Sequence, residues 1–261
     1  MNVRIATISG IFCFAGFLQI ASAVIPGPGY EYGYDASTGL LPNDPALSQP
    51  SWNYFFGAPE YTSTSSVSGG ALTVAAPSEQ YLIYRMNGGT PGADGQSFNP
   101  DLSIGSTIQF SAQITSGVNN VQAMTVFTPT NQFIFSFGVT EISTFTFGAP
   151  ATATYANTGG YHTYQINLNT DNSASVYVDG VFGFTTLGSE AAGTSRLEFG
   201  NGYSLLNGGT VNYQYVQWTN AGVLPVPEPT TVVTVLGAMG LLLGQRLVRK
   251  RRSSESAAPA V

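Results

Sequence analysis

"YHTYQINLNTDNSASVYVDGVFGFTTL", Tyr161 to Leu187, decides the fold. Its first part alternates Tyr164, Ile166 and Leu168 with Gln165, Asn167 and Asn169. A period of two sends successive side chains to opposite faces of a strand. From Ser173 to Leu187 run a strand, an Asp179-Gly180 turn and a second strand. Asp-Gly between alternating runs is a strong hairpin signal, because both central residues of the favoured tight turn need φ above zero.

The same period recurs along the chain. "STIQFSAQIT" alternates Ile108, Phe110, Ala112 and Ile114 with Gln109, Ser111, Gln113 and Thr115. "NQFIFSFGVT" sets Phe133, Phe135, Phe137 and Val139 on one face. In "TVNYQYVQWTNAG", strict alternation puts Tyr213 and Tyr215 on one face and Val216 and Trp218 on the other. No amphipathic helix of normal length and no repeat of fixed period interrupts these strands. Sheets with one apolar face bury it against each other, so two packed antiparallel sheets are expected.

Composition agrees. The chain has 261 residues, of which 8% are charged and 12% aromatic, with 31 glycines. An ordinary globular domain is about 25% charged. A disordered chain would lack the aromatics. From Val24 to Leu224 the only bases are Arg85 and Arg196, against twelve acids, a balance of −10. An acidic body disfavours nucleic acid, because phosphate needs a basic surface. The only cysteine is Cys13, so the body has no disulfide framework.

The two ends read as separate units. "MNVRIATISGIFCFAGFLQIASA" combines one base, Arg4, an apolar stretch and a small-residue ending at Ala21-Ser22-Ala23. That order is a secretory signal peptide spanning 1–23, with an uncleaved anchor helix as the alternative. A Pro/Gly-rich leader follows over 24–51 and is expected to be extended or irregular. In it, Tyr30, Tyr32 and Tyr34 are candidates to cover a sheet edge. At the other end, Thr230 to Gln245 carries no charge. As a helix it rises about 24 Å, and extension to Val248 gives about 28 Å, close to the hydrocarbon thickness of roughly 30 Å. The bases Arg246, Arg249, Lys250, Arg251 and Arg252 follow and would be held on the cytoplasmic side. Before the span, Pro227 and Pro229 lack backbone donors and make a stiff, accessible junction.

Val226-Pro227-Glu228-Pro229, the short apolar span and the Arg-rich end together resemble the PEP-CTERM sorting domain. A plain membrane anchor is the alternative, although it does not require the Pro-Glu-Pro. The resemblance implies recognition by an exosortase, a membrane-embedded cysteine protease, with cleavage near the motif. It also implies an association with exopolysaccharide production and delivery to the cell surface or matrix. The expected organisation is a signal helix, the leader, a sandwich over 52–221, a sorting segment with a transmembrane helix over 222–252 and a disordered tail over 253–261.

"SGGALTV" (Ser68 to Val74), "YHTYQINLNTDNSASVYVDGV", "LEFGNG" (Leu197 to Gly202) and "VNYQYVQWT" (Val211 to Thr219) follow one another in an order that resembles the concanavalin A-like, laminin G-like jelly-roll. Where that family often has Trp-His, this chain has Tyr161-His162. The resemblance implies an all-β, two-sheet antiparallel jelly-roll sandwich, and its motifs speak to fold more than function.

Catalytic signals are sparse. Glycosidases need two carboxylates facing one cleft, and those resembling this sandwich often carry them at alternate positions of one strand. No strand here has Glu-x-Asp or Glu-x-Glu, and Glu141 stands alone. His162, the sole histidine, would need a positioned serine and an orienting acid to act as a base. A strand-start residue bonded to nearby backbone is the preferred reading. Asp171-Asn172-Ser173 could hold calcium with Asp94 or Asp179, as such sandwiches sometimes do, but Asp and Asn also make hairpin turns by bonding their own backbone. The turn is favoured, and no cofactor is expected. "NGGTPGADG" (Asn87 to Gly95) has no following helix to aim amides at phosphate. Trp52, Tyr203 and Trp218 are candidates for stacking sugars, or for the core. The leading expectation is a non-catalytic structural or adhesive surface protein. A carbohydrate-binding module is the alternative, and a glycosidase the weaker one.

Overall fold

The computed structural model describes residues 27–44, 52–56, 64–77, 81–88, 97–116, 121–144, 151–155, 159–191, 193–202 and 209–226. The signal peptide, the Pro-Glu-Pro, the apolar span and the basic cluster lie outside these residues. Among the described residues no helix is long and apolar enough to cross a membrane.

Two antiparallel sheets account for the described strands. The first sheet contains β1 (Tyr32–Asp35), β3 (Thr64–Ser68), β4 (Ala71–Ala76), β6 (Ser106–Ser116), β11 (His162–Leu168), β12 (Ser173–Val178), β13 (Val181–Leu187) and β16 (Gly209–Thr219). Its order is β13-β12-β11-β6-β16-β4-β3, with β1 paired to β16 beyond the end of β4. The second sheet contains β2 (Asn53–Phe56), β5 (Leu82–Asn87), β7 (Val121–Phe127), β8 (Asn131–Phe137), β9 (Glu141–Thr144), β10 (Thr152–Thr154), β14 (Ser189–Glu190) and β15 (Arg196–Gly202). Its order is β10-β9-β8-β7-β15-β5-β2, with β14 on the flank of β8. The predicted Asp179-Gly180 hairpin joins β12 to β13, and both turn residues have φ above zero, 50° and 79°.

The core lies where the apolar faces meet. Phe110 of β6 stacks on Tyr164 of β11 at 5.0 Å, and Phe137 of β8 meets both rings edge-on at 5.4 and 4.7 Å. Further along, Trp52 contacts Phe199 and Trp218 edge-to-face at 4.9 and 5.6 Å. Offset and edge-to-face pairs align ring quadrupoles favourably, so these contacts add to the burial itself. The sheets are also bonded directly. The buried Tyr213 hydroxyl donates to the Gly200 carbonyl at 2.6 Å and accepts from the Gly200 amide at 3.2 Å. Gly200 has φ 141°, and a Cβ there would run into the Leu82 carbonyl, so glycine is required at this crossing.

Two expectations are corrected. Strict alternation fails in β16, where the pairing with β6 shifts register between Tyr213 and Tyr215. Gln214 is the extra residue of a bulge, and one inserted residue inverts the faces that follow. Tyr213, Val216 and Trp218 therefore all point into the core, while Tyr215 faces outward. The leader, expected to be extended or irregular, supplies the extended strand β1, which pairs with β16. Tyr34 is fully buried, and Tyr32 packs on Trp218 at 5.5 Å. The sandwich thus begins before Trp52. Asp35 accepts from the Ser37 amide to start a short 3-10 turn, and Gly39, at φ 77°, ends it.

Candidate functional site

The outer face of the first sheet is polar yet buried. Gln165, Gln109 and Gln217 stand side by side on β11, β6 and β16, with Asn167, Thr107 and Thr219 in the next row. Gln217 donates to Gln109 Oε1 at 2.7 Å, Tyr215 donates to the same oxygen at 3.2 Å, and Gln165 donates to Asn167 at 3.0 Å. Period-two reading places these side chains in water. Instead the two ends of the described chain cover them. The Gly27 amide donates to Gln217 Oε1 at 2.8 Å. The Leu224 amide donates to Thr107 Oγ1 at 2.9 Å, and its carbonyl accepts from Gln165 at 3.2 Å. A Cβ on Gly29 would lie 3.0 Å from the Leu224 side chain, so the two ends touch. Buried amides with partners cost little, and without partners they cost the full desolvation penalty. The ladder therefore needs both strands of its cover.

His162 is buried, and its partner is a carboxylate rather than backbone. Asp179 Oδ2 lies 2.6 Å from Nδ1, and Asp179 Oδ1 accepts from the Thr163 amide at 2.9 Å. The carboxylate places the proton of a neutral ring on Nδ1. Tyr155 packs on the imidazole at 4.8 Å, donates to the Gly138 carbonyl and shares a bond with the Tyr164 hydroxyl. Burial raises the pKa of both tyrosines. The orienting acid for a base is thus present, which the sequence reading missed because 17 residues separate the two. His162 Nε2, the nitrogen that would face a nucleophile, is buried with no hydrogen-bond partner among the described residues. That geometry holds a ring in place; it does not activate a hydroxyl.

Asp171 makes the predicted turn. Its Oδ1 accepts from the Ser173 amide at 3.0 Å and hydroxyl at 2.6 Å, and these bonds lower its pKa. Asp179 is engaged with His162, and Asp94 lies outside the described residues. Among the described residues no group of three His, Cys, Asp or Glu side chains is placed to hold a metal.

The stacking role is overturned for two of its three candidates. Trp52 and Trp218 are 1% and 0% exposed, so neither offers a ring face to a ligand. They fill the core because the bulge turns Trp218 inward and Trp52 packs against it. Tyr203 lies outside the described residues.

The outer face of the second sheet gathers the body's two bases. Arg85 of β5 stands directly opposite Glu198 of β15, and Arg196 precedes Glu198 by two positions on the same face. Arg85 Nε donates to Glu198 Oε1 at 2.6 Å. Arg196 Nε lies 3.0 Å from the same oxygen, an ion-pair contact without hydrogen-bond alignment. The Arg196 guanidinium sits 3.5 Å over the Phe127 ring. Burial lowers the Arg196 pKa, Glu198 opposes that shift and Arg85 adds to it. Glu198 is nearly buried, whereas both arginine side chains remain part-exposed. Its oxygen meets two cations, the geometry of a counter-ion rather than a proton donor.

No family model and no curated protein matches the sequence. Solved structures do. The carbohydrate recognition domain of Emp46p, in its metal-free form, matches with TM-score 0.50 and 10% identity over 75% of this chain and 99% of that one. The cellulose induced protein Cip1 matches with TM-score 0.49 and 14% identity over 74% and 99%. A Bacillus licheniformis beta-glucanase matches with TM-score 0.42 and 12% identity over 74% and 99%. At such identities the likeness speaks to fold alone: the chain is an all-β, two-sheet antiparallel jelly-roll.

Proposed function

We propose that this chain is an exported cell-surface or extracellular-matrix protein, sorted through a C-terminal PEP-CTERM signal, with a non-catalytic sandwich as its body. The observation that carries this reading is the exit of the chain. Leu224 is bonded into the outer face of the first sheet, and Val226, the last described residue, immediately precedes Pro227-Glu228-Pro229. A processing enzyme would meet the motif just outside a finished domain. Signal peptide, apolar span and basic cluster supply export and membrane retention, and an exosortase-type protease is the expected partner.

Replacing Pro227, Glu228 and Pro229 by alanine tests this. The variant is expected to accumulate at full length in the membrane fraction while the unaltered protein reaches the surface shortened. Equal length and location for the two would overturn the sorting reading.

A carbohydrate-binding role is the second reading. The fold shared with the Emp46p domain supports it, and the burial of Trp52 and Trp218 removes those two rings as stacking platforms.

A further inference from the structure

We propose that Phe182 and Tyr177, on the outer face of the first sheet at its β13 end, form a stacking platform for a neutral polysaccharide of β-linked glucose. The inference deepens the carbohydrate-binding reading and does not depend on how the tail is processed.

Exposure comes first. Among the described residues five large apolar side chains are exposed, and three of them, Val181, Phe182 and Leu187, stand on β13. Phe182 is 56% exposed. A phenyl ring left in water forgoes its burial, and exposed apolar side chains gathered in one place mark a contact surface. The ring has a companion. Tyr177 of β12 lies opposite Phe182 in register, with the ring centroids 5.6 Å apart and the planes at 69°. Two rings at that angle make a corner, a face with a wall beside it.

Position comes second. Tyr177 continues the row of Gln109 and Gln165 across the sheet. The described chain ends bond to Gln217, Gln165 and Thr107, and Phe182 stays exposed past them. In the next row Ser175 and Thr185 face each other and share a bond at 3.2 Å, and Asn169 donates to Ser175 at 3.0 Å. Two residues along β12 separate the rows, roughly 7 Å. A sugar ring stacked on Phe182 therefore brings its hydroxyls to the exposed Thr185.

Charge comes third, and it selects the occupant. Val181 to Leu187 carries no charge, and neither do Ser175 and Tyr177 beside it. The body around them is strongly acidic, which repels a polyanion and leaves a neutral chain. In β-linked glucose every ring substituent is equatorial, so both ring faces are lined with C–H, the surface that the negative face of an aromatic ring accepts. A second copy adding to the edge of β13 fits less well. Phe184 pairs with Val176 and Phe182 with Tyr177, so Gly183 is the extra residue of a bulge. A bulge bends and twists an edge strand away from strand addition. β10 also closes on this strand, since a Cβ on Gly183 would lie 3.0 Å from the Ala153 side chain.

The full chain, in a nonionic detergent without sugar head groups, is tested by affinity electrophoresis in gels containing a soluble mixed-linkage β-glucan or alginate, a polyuronate. The unaltered protein is expected to be retarded by the β-glucan and not by alginate, with no change as salt rises. F182A should weaken β-glucan binding about tenfold, the upper end of what one ring contact contributes, with native melting temperature. F182L keeps the apolar bulk without the ring and should lose as much; it carries the test if F182A does not fold. F182Y keeps the ring and should bind as the unaltered protein does. Undiminished retardation of F182L, or of a folded F182A, would overturn the site while leaving carbohydrate binding standing. Retardation by alginate alone would also overturn the site and keep that reading. A concentration-dependent dimer that F182L dissociates, with glucan retardation unchanged, would give the patch to a second copy instead. No retardation by either polymer would overturn both the site and the carbohydrate-binding reading.

Discussion

On the outer face of the first sheet, Gln109, Gln165 and Gln217 bond to one another beneath Gly27 and Leu224. On the outer face of the second sheet, Arg85, Glu198 and Arg196 occupy equivalent outward positions, and both arginine side chains stay part-exposed. Both faces come from the same alternation of apolar and polar residues. They differ in what covers them. Amides, which can donate and accept, suit a face closed by the chain's own backbone. Charges, which are expensive to bury, suit a face that stays near water. One face ties the ends of the domain together, and on the other two part-exposed arginine side chains meet a nearly buried carboxylate.

The largest expected effect removes both faces at once. Burial, then the Tyr84 charge, raises the pKa of Tyr34; burial, then Tyr155, raises that of Tyr164; burial raises that of Tyr213, all from an ordinary 10.0. Between the unfolded and the folded value the native state holds protons that the unfolded chain has released. Stability from these phenols is therefore complete below pH 10 and falls as the pH rises past it. Circular dichroism with tyrosinate absorbance should show cooperative unfolding starting above that point. Ionisation of Tyr34, Tyr164 and Tyr213 themselves, identified by the absorbance each loses on replacement by Phe, ahead of any loss of strand signal would contradict the packing.

Breaking the closed face comes next. Gln109→Ala leaves Gln217, Gln165 and Tyr215 without a shared partner, at a cost of about 2–3 kcal/mol in urea unfolding. Gln113→Ala, on the same strand but part-exposed, should cost about 0.5 kcal/mol or less. Equal losses would mean that the cover is not closed. On the second sheet, Glu198→Gln should cost about 1–2 kcal/mol, less than a fully buried pair, because water screens arginine side chains that stay part-exposed. A loss as large as that of Gln109→Ala would place this face under cover too.

The smallest effect sharpens where the body ends. Truncation after Val226 should leave the urea midpoint unchanged. Truncation after Gly222 removes the Leu224 bonds to Thr107 and Gln165 and should cost about 1 kcal/mol. Identical midpoints would detach residues 223–226 from the fold.

Local signals were legible. The Asp179-Gly180 hairpin and the inward set Phe133, Phe135 and Phe137 follow from turn chemistry and a period of two. What escaped was non-local. The bulge at Gln214 has no composition of its own, so alternation carried Tyr213 and Trp218 to opposite faces. Gln109 and Gln165 read as wet because nothing in a strand reveals what residues 27 and 224 will cover. Arg85 and Glu198 are 113 positions apart and meet only through the pairing of β5 with β15. For aromatic residues the sequence left core and surface open, and packing put both tryptophans in the core.

The most direct test is the intact mass, with both termini sequenced, of the protein recovered from the cell surface. The account predicts a chain that begins at Val24 and ends within or just after Val226-Pro227-Glu228-Pro229. A surface form that still carries Arg246 to Val261 would contradict it and leave an ordinary membrane anchor.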